Sequence, residues 1–260
     1  MEFHRTVLRA ANSLFNLVVI LLLLAAGSYS AFALWDNQRI YAAAGDVQAD
    51  MMKLKPEVIT TEEDSGANFS ELLAVNPDVC GWITLDNTNV DYPVLQGETN
   101  FTYINTDVYG NFALAGSIFL DTRCSKEFTD PYSLIYGHHM ADSKMFGDLD
   151  LYKDETFFQE NTTGSLVLPG KAYQLEIIAC LLVPASEDHI FEPTTWQDSN
   201  ISRLLEFVEN NALNLHDEIM RELKAAEDPF KILALSTCSY EYTDARTIVL
   251  TWMKPFSSEE

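Results

Sequence analysis

The first distinct segment in the pattern of apolar and polar positions is a continuous apolar run near the N-terminus. Residues 14–34, LFNLVVILLLLAAGSYSAFAL, are 21 consecutive positions without a charged side chain. As a helix this segment is about 31 Å long, which matches the hydrocarbon thickness of a bilayer. The pattern therefore predicts a membrane-spanning helix.

Charged residues on either side of this run indicate its orientation. Arg5 and Arg9 precede it, whereas acidic residues, beginning with Asp36, are common after it. By the positive-inside tendency the N-terminus is cytoplasmic, and the protein is a single-pass component of the cell membrane with everything after residue 35 outside the cell. The alternative is a cleaved signal peptide, because the AFA sequence at 31–33 has the small-x-small pattern of a signal peptidase site. Both interpretations predict that the remainder is exported.

Beyond the apolar run the pattern predicts a helix, a polar linker and then a region rich in strands. Residues 36–55 have moderately helical periodicity that ends at Pro56, and a polar linker follows. After a short helix that begins at Asn68, apolar-alternating runs are separated by turn residues, which is typical of strands. These runs are GWITLD, VDYPVLQ, GSIFLDTR, SLIYGHHM, GSLVLPG, YQLEIIACLLVPA, PFKILALSTC and ARTIVLTWMK.

One long helix is predicted before the last two of these strands. Between Ser199 and Ala226, apolar residues recur at steps of three or four, which places them on one stripe. Seven or eight short strands with appended helices indicate a mainly β fold, a barrel or a sandwich. We predict four regions: a cytoplasmic N-terminus at 1–13, a transmembrane signal-anchor at 14–34, an extracellular helix and linker at 35–67, and a folded domain at 68–260.

The composition excludes several classes of function. Sixteen basic residues stand against 39 acidic ones, for a net charge of −23. Since phosphate binding needs clustered lysine and arginine, we expect no nucleic-acid partner. No cysteine or histidine pair has the spacing of zinc ligands, and we expect no metal and no cofactor. Cys80 and Cys180 lie within apolar runs and are interpreted as core residues.

Cys238 stands where an apolar run ends and polar sequence begins, and Arg246 begins the next run. A nucleophilic thiol needs a partner that moves protons and a donor for the oxyanion that forms when it attacks a carbonyl. Arginine suits the second role because it is permanently charged and has five donors. Two histidines, His138 and His139, also follow an apolar run. The residues alone leave two interpretations open, a catalytic set or a structural cysteine in a non-catalytic, envelope-binding β-domain.

The sequence around these residues resembles that of the sortases, the membrane-anchored cysteine transpeptidases of Gram-positive cell envelopes. LALSTCSYEYTDARTIV carries their TLxTC…R signature, and NPDVCGWITLDNTNVDYPVLQ, GSIFLDTR and IYGHHMADSKMFGDL are similar to class B members. The resemblance covers about residues 68–253. It implies an eight-stranded sortase-type β-barrel with N-terminal helices and a long helix before the last two strands, with 68–260 as the catalytic domain.

The resemblance also implies roles for individual residues. Cys238 corresponds to the nucleophile, Arg246 to the residue that stabilises the oxyanion or substrate, and His138, which follows Gly137, to the general acid and base. His139 has no role in this correspondence. The positions implied to contact substrate are Ser236, Thr237, Ser239 and Cys124, although class B proteins commonly have an acidic residue at the position of Ser239 and an asparagine at that of Cys124.

The reaction implied by the resemblance is transpeptidation on secreted surface proteins that carry a C-terminal sorting motif. The enzyme would cleave after a threonine, hold the protein as a thioacyl intermediate on Cys238, and transfer it to an amine of a peptidoglycan cross-bridge. Alternatives are a pilin polymerase that uses a pilin lysine amine, and a thiol hydrolase that uses water. A further hypothesis is a reversible disulfide between Cys124 and Cys238.

Overall fold

The protein is described by a computed structural model that covers most of the chain. The described residues are 2–56, 65–196, 201–226, 229–238 and 245–256. They form two compact units, 1–43 and 44–260. Ser239, which was predicted to contact substrate, lies outside the described residues, as does most of the predicted linker.

Helix α1 (Glu2–Met52) forms the N-terminal unit as far as residue 43. Its last turns, from residue 44, belong to the second unit. Among the described residues, this helix is the one long enough and apolar enough to cross a membrane, by length and composition alone. Its end is explained by Pro56, because a proline ring clashes with the carbonyl four residues earlier, here that of Met52. The helix predicted at 36–55 is thus continuous with the apolar run.

In the described part of the second unit, ten strands form one sheet. The strands are β1 (Val79–Leu85), β2 (Asp91–Leu95), β3 (Ile118–Leu120), β4 (Tyr132–Met140), β5 (Lys144–Met145), β6 (Thr163–Leu168), β7 (Lys171–Pro184), β8 (Ala212–Leu215), β9 (Lys231–Cys238) and β10 (Ala245–Pro255). Eight of them run in the order β10-β9-β4-β3-β2-β1-β6-β7, and pairing of β10 with β7 closes the barrel. The predicted eight-stranded barrel is confirmed.

Helices surround this barrel and cover parts of its outer surface. They are α2 (Ser65–Val75), α3 (Glu155–Glu160), α4 (Asp188–Phe191), α5 (Ile201–Asn211) and α6 (Asp217–Ala225), with 3₁₀ helices at Gly147–Lys153 and Pro193–Trp196. The outer face of β4, β9 and β10 packs under α4, α5 and α6 in a core that includes Leu134, Ala234, Ile248 and Trp196. A second core joins the end of α1 and α2 to β1 and β2.

The prediction of a single long helix at 199–226 was wrong in one respect. The segment precedes the last two strands, but β8 interrupts it and pairs with β7. Helix α5 ends at Asn211, whose side-chain amide donates to the carbonyl of Phe207 at 2.8 Å. The Asn214 side chain then donates to the carbonyls of Tyr152 and Lys153. The apolar stripe continues through β8, where Ala212 and Leu215 pack against the same core as α5 and α6, whereas Leu213 is exposed.

Candidate active site

Three neighbouring strands bring His138, Cys238 and Arg246 to one level of the barrel. Strands β4 and β9 are parallel, with His138 directly opposite Cys238. Strands β9 and β10 are antiparallel, and the last residue pair of their ladder before Cys238 is Ser236 with Ile248. Continuing this register by two residues places Arg246 opposite Cys238. Neighbouring strands lie about 4.8 Å apart, so these three backbone positions lie in a row about 10 Å long.

These three positions belong to the same face of the sheet, because directly paired residues of neighbouring strands point to the same side. The same face carries Tyr136, Ser236 and Ile248. The first two lie two residues before His138 and Cys238, and the third lies two residues after Arg246. It is the outer face, whose apolar core under α4, α5 and α6 ends at Tyr136 and Ile248. The row therefore begins where the helical cover of the sheet stops.

The ring of His138 is held by the backbone of the loop between β2 and β3. Its Nε2 lies 2.7 Å from the carbonyl oxygen of Ile104, and the side chain is half-buried. Because a carbonyl can only accept, Nε2 carries the hydrogen in this contact. The contact fixes the ring orientation and leaves Nδ1 as the other proton-transfer position.

Gly137, which precedes His138, has a steric role. A Cβ atom at this position would lie 2.5 Å from Cδ1 of Ile118 and 2.8 Å from the ring of Phe146. Side chains of the barrel interior thus pack directly against the strand backbone beside the histidine. At the edge of β4 away from β9, the backbone amide of Phe146 donates to the carbonyl of His138 at 3.0 Å.

Arg246 is the second residue of β10 and is half-buried. Its backbone pairs with Val183 of β7, and its Nη1 donates to the carbonyl of Ala245 at 3.2 Å. A guanidinium at this position can direct several N–H donors toward an oxygen that develops negative charge near Cys238.

The residues predicted to contact substrate occupy different environments. Ser236 lies on the face of Cys238 but is buried, with 1% of its surface exposed. Thr237 is fully buried and lies on the opposite face, where its Oγ1 accepts from the backbone N–H of Thr247 at 3.2 Å. The structure does not bring Thr237 to the surface near Cys238, because successive side chains of a strand alternate between faces.

Cys124 is also buried, and its thiol is next to the backbone of Leu134. Leu134 lies four residues before His138, so this level of the sheet is about 13 Å from that of Cys238. A disulfide needs Cα atoms within about 7 Å, so the position of Cys124 next to Leu134 disfavours the hypothesised Cys124–Cys238 disulfide.

The cysteines at 80, 124 and 180 are free thiols. Burial raises the pKa of Cys80, Cys124 and Cys180 to about 12 in each case. Since the thiolate is the reactive form, these three are inert structural residues. Within the described ranges, no three histidine, cysteine or acidic side chains are grouped as a metal site.

A buried ionic network lies beside the site on the same face, and the sequence pattern did not indicate it. Asp121 is fully buried and accepts two hydrogen bonds from the guanidinium of Arg123, at 2.9 and 2.8 Å, and one from the hydroxyl of Tyr136 at 2.9 Å. Arg123 also donates to the carbonyl of Phe191 and to the carboxylate of Glu192. The network joins the β3–β4 connection to α4.

The hydrogen bonds decide the charge of Asp121. Burial alone would raise the pKa of Asp121, but hydrogen bonds from the Arg123 side chain and backbone and from Tyr136 outweigh it, and the pKa is lowered. Burial and the same carboxylate raise the pKa of Tyr136. In the sequence, the DTR triplet directly after a strand carries this acid and base two residues apart, but it does not show their partners.

Comparison with known proteins identifies the class. No family profile matches the chain. Sortase B of Listeria monocytogenes is 28% identical over 241 residues, which cover 90% of this chain and 93% of the relative, and sortase B of Staphylococcus aureus is 28% identical over 194 residues, 73% and 75% of the two chains. The crystal structure of a Streptococcus pyogenes class B sortase involved in pilus biogenesis is 35% identical with a TM-score of 0.65, covering 73% of this chain and 99% of that one.

The closed eight-stranded barrel and the similarity to these proteins identify a cysteine transpeptidase of the sortase type. The chain belongs to the class B sortases. The resemblance seen in the sequence is confirmed at the level of family, fold and enzyme class.

Proposed function

We propose that this transpeptidase cleaves a C-terminal sorting signal of another exported protein after a threonine, and transfers the protein to an amine of the cell wall. The observation that supports this proposal is the register of β4 and β9, which sets His138 directly opposite Cys238, and continuing the β9–β10 register places Arg246 on the other side. The proton carrier and the oxyanion donor then each lie one strand spacing, about 4.8 Å, from the nucleophile on either side.

In the first half of the proposed reaction, the thiolate of Cys238 attacks the threonine carbonyl. Arg246 donates hydrogen bonds to the oxyanion or to the carbonyls that position it. The peptide C–N bond then breaks, His138 gives its proton to the leaving amine, and a thioester remains on Cys238.

In the second half, an incoming amine attacks the thioester. His138 takes a proton from this amine, a new amide bond forms, and the Cys238 thiolate leaves. Because the ring of His138 is held through Nε2 by the Ile104 carbonyl, we assign proton transfer to Nδ1.

We propose that the apolar part of α1 anchors the enzyme in the cell membrane. The assignment keeps the boundaries from the sequence: a cytoplasmic N-terminus at 1–13, a transmembrane segment at 14–34, an extracellular helix and linker at 35–67, and the catalytic domain at 68–260. The apolar helix supports it by length and composition.

The test is cleavage of a library of sorting-signal peptides by the full-length protein in detergent, with products read by mass spectrometry. We expect cleavage after threonine, a covalent acyl adduct on Cys238, and no product with Cys238→Ala. Adding an amine separates transfer from hydrolysis. No cleavage by the wild type, together with slow alkylation of its Cys238, would instead favour the non-catalytic β-domain.

Two adjacent histidines provide a matched control for the role of His138. His138→Ala should lower kcat by about 10²- to 10⁴-fold, the usual contribution of a general acid or base. His139→Ala should lower kcat much less, because its side chain lies on the opposite face of β4 and can act only through the position of the strand. The reverse result would show that the proton carrier was assigned to the wrong residue.

A second candidate function is pilin polymerisation. It is favoured by the similarity to the Streptococcus pyogenes class B sortase involved in pilus biogenesis. The acceptor would then be a pilin lysine rather than a cross-bridge amine. Offering the acyl-enzyme both acceptors in one reaction and comparing the two products decides between the candidates.

A further inference from the structure

The face of the sheet behind the proposed catalytic row carries a second group of polar side chains. His139 and Thr247, the residues that follow His138 and Arg246, point to this face. Both contact one carboxylate, that of Asp150 in the 3₁₀ helix Gly147–Lys153: His139 Nε2 lies 3.1 Å from Oδ2, and Thr247 Oγ1 donates to Oδ1 at 2.7 Å. Asp150 therefore connects β4 to β10, the two strands on either side of β9.

The connection continues into β9 itself. The backbone N–H of Thr247 donates to Oγ1 of Thr237 at 3.2 Å, and Thr237 immediately precedes Cys238. Thr237 and Thr247 are both fully buried, so water does not compete for these hydrogen bonds. A chain of contacts thus runs from Asp150 through Thr247 to the residue before the nucleophile.

We propose that Asp150 is a positioning residue, which holds the strands of His138 and Arg246 at a fixed spacing on either side of Cys238. The inference rests on the proposed function, because it assigns those three residues to catalysis. Asp150 touches no reacting atom and acts through His139 and Thr247.

The charge of Asp150 suits this role. Burial alone would raise its pKa, but hydrogen bonds from Thr247 and Lys153 outweigh burial, and the pKa is lowered. The carboxylate is therefore ionised at neutral pH and accepts from both strands. The ammonium of Lys153, 2.9 Å from Oδ1, balances this charge from within the same 3₁₀ helix.

A link at this position matters because the catalytic row is at strand ends. Cys238 is the last residue of β9 and Arg246 the second of β10, so few ladder hydrogen bonds hold them. Misplacement of a reacting group by 1 Å can reduce the rate by about 10²-fold. We expect the link to affect the chemical step and to leave the outer face of the sheet unchanged.

The experiment compares kcat and KM of full-length variants on the sorting-signal peptide that the wild-type enzyme cleaves fastest. We expect Asp150→Ala to lower kcat by about 10- to 100-fold with KM within about two-fold. Asp150→Asn should stay within about three-fold of wild type, since its amide can accept from Thr247 and still reach His139. Lys153→Met is the matched control and should also stay within about three-fold.

A second variant covers the outcome in which Asp150→Ala fails to fold. Thr247→Val keeps the shape of the buried side chain but removes the hydroxyl that Asp150 accepts from, and it should lower kcat with KM unchanged, whereas Thr247→Ser should not. If kcat of either Asp150→Ala or Thr247→Val remains at the wild-type value, the inference is overturned. Cys238→Ala is measured in parallel, and its activity would show instead that the proposed function has failed.

Discussion

Gly137 shows how a single residue prepares the site. Its missing side chain lets Ile118 and Phe146 pack against the backbone of β4 directly before His138, while the ring of His138 reaches the Ile104 carbonyl on the other face. The glycine before the histidine is therefore required by packing. The orientation of His138 depends on the position of β4. The position of β4 depends in turn on its contact with Phe146.

Gly137→Ala tests this packing. The added Cβ would overlap Ile118 and the Phe146 ring, and inserting a methyl group into a packed core destabilises a protein by about 1–3 kcal/mol. We expect a lower urea midpoint and a reduced kcat, since β4 must shift next to His138. Ile118→Val in the same chain removes the Cδ1 atom in closest contact and should recover part of the stability; if the alanine variant matches wild type, the close packing is not limiting.

His216 gives a pH-dependent prediction at the same scale. Its ring stacks on Phe158 with centroids 4.2 Å apart, and its Nε2 is enclosed, with no hydrogen-bond partner among the described residues. Burial lowers the pKa of His216 below its ordinary value of 6.5. Between these two pKa values the unfolded chain binds more protons than the folded one, so stability falls as the pH drops below about 6.5.

His216→Phe keeps the ring stacking and removes this titration. We expect its free energy of unfolding, measured in urea, to decline less than that of the wild type between about pH 6.5 and 5. Curves that run parallel for the two proteins over this range would contradict the assignment.

At the scale of elements, the network of Asp121, Arg123 and Tyr136 fixes α4 against the barrel. Arg123 contacts Phe191 at the end of α4 and the adjacent Glu192, and the rings of Tyr136 and Phe191 are parallel within 8°. One guanidinium thus joins the β3–β4 connection to the helical cover that ends beside the proposed catalytic row.

Arg123→Ala should destabilise the domain by about 3 kcal/mol, because it leaves the fully buried carboxylate of Asp121 without its counter-ion. Arg123→Lys should recover only part of this, because an ammonium cannot make the paired hydrogen bonds of a guanidinium. Glu192→Gln is the control: Glu192 is about half exposed, and its loss should change stability by less than about 1 kcal/mol. The three free energies of unfolding, measured in urea, check the ranking.

The elements also show what the sequence could predict. Alternating apolar runs identified the barrel strands, and the positions of Cys238 and His138 at strand ends followed from local pattern. The interruption of the 199–226 helix by β8 did not, because it depends on pairing with β7, far away in the sequence. The contacts of Asp121 and Asp150 were unpredictable for the same reason: each joins segments that meet only after the barrel closes.

At the scale of the whole molecule, two opposing features meet in one chain. The apolar helix favours the membrane, while a net charge of −23 makes the chain repel anionic lipid surfaces. Adsorption of the acidic domain to the membrane would therefore be weak. If the enzyme acts at the membrane, as we propose, the helix must provide the attachment.

Exchanging residues 2–34 for a cleavable signal peptide tests this attachment. The released enzyme should attach surface proteins in cells about 100-fold more slowly, because tethering of enzyme and substrate in one layer raises their effective concentration without any new contact. Its kcat on a peptide in solution should remain unchanged, since the proposed catalytic row lies in β4, β9 and β10. A chain with residues 14–34 replaced by 21 leucines keeps an apolar helix of the same length and should attach at the wild-type rate. Equal rates for the released and anchored forms would mean that the helix serves export rather than catalysis at the membrane.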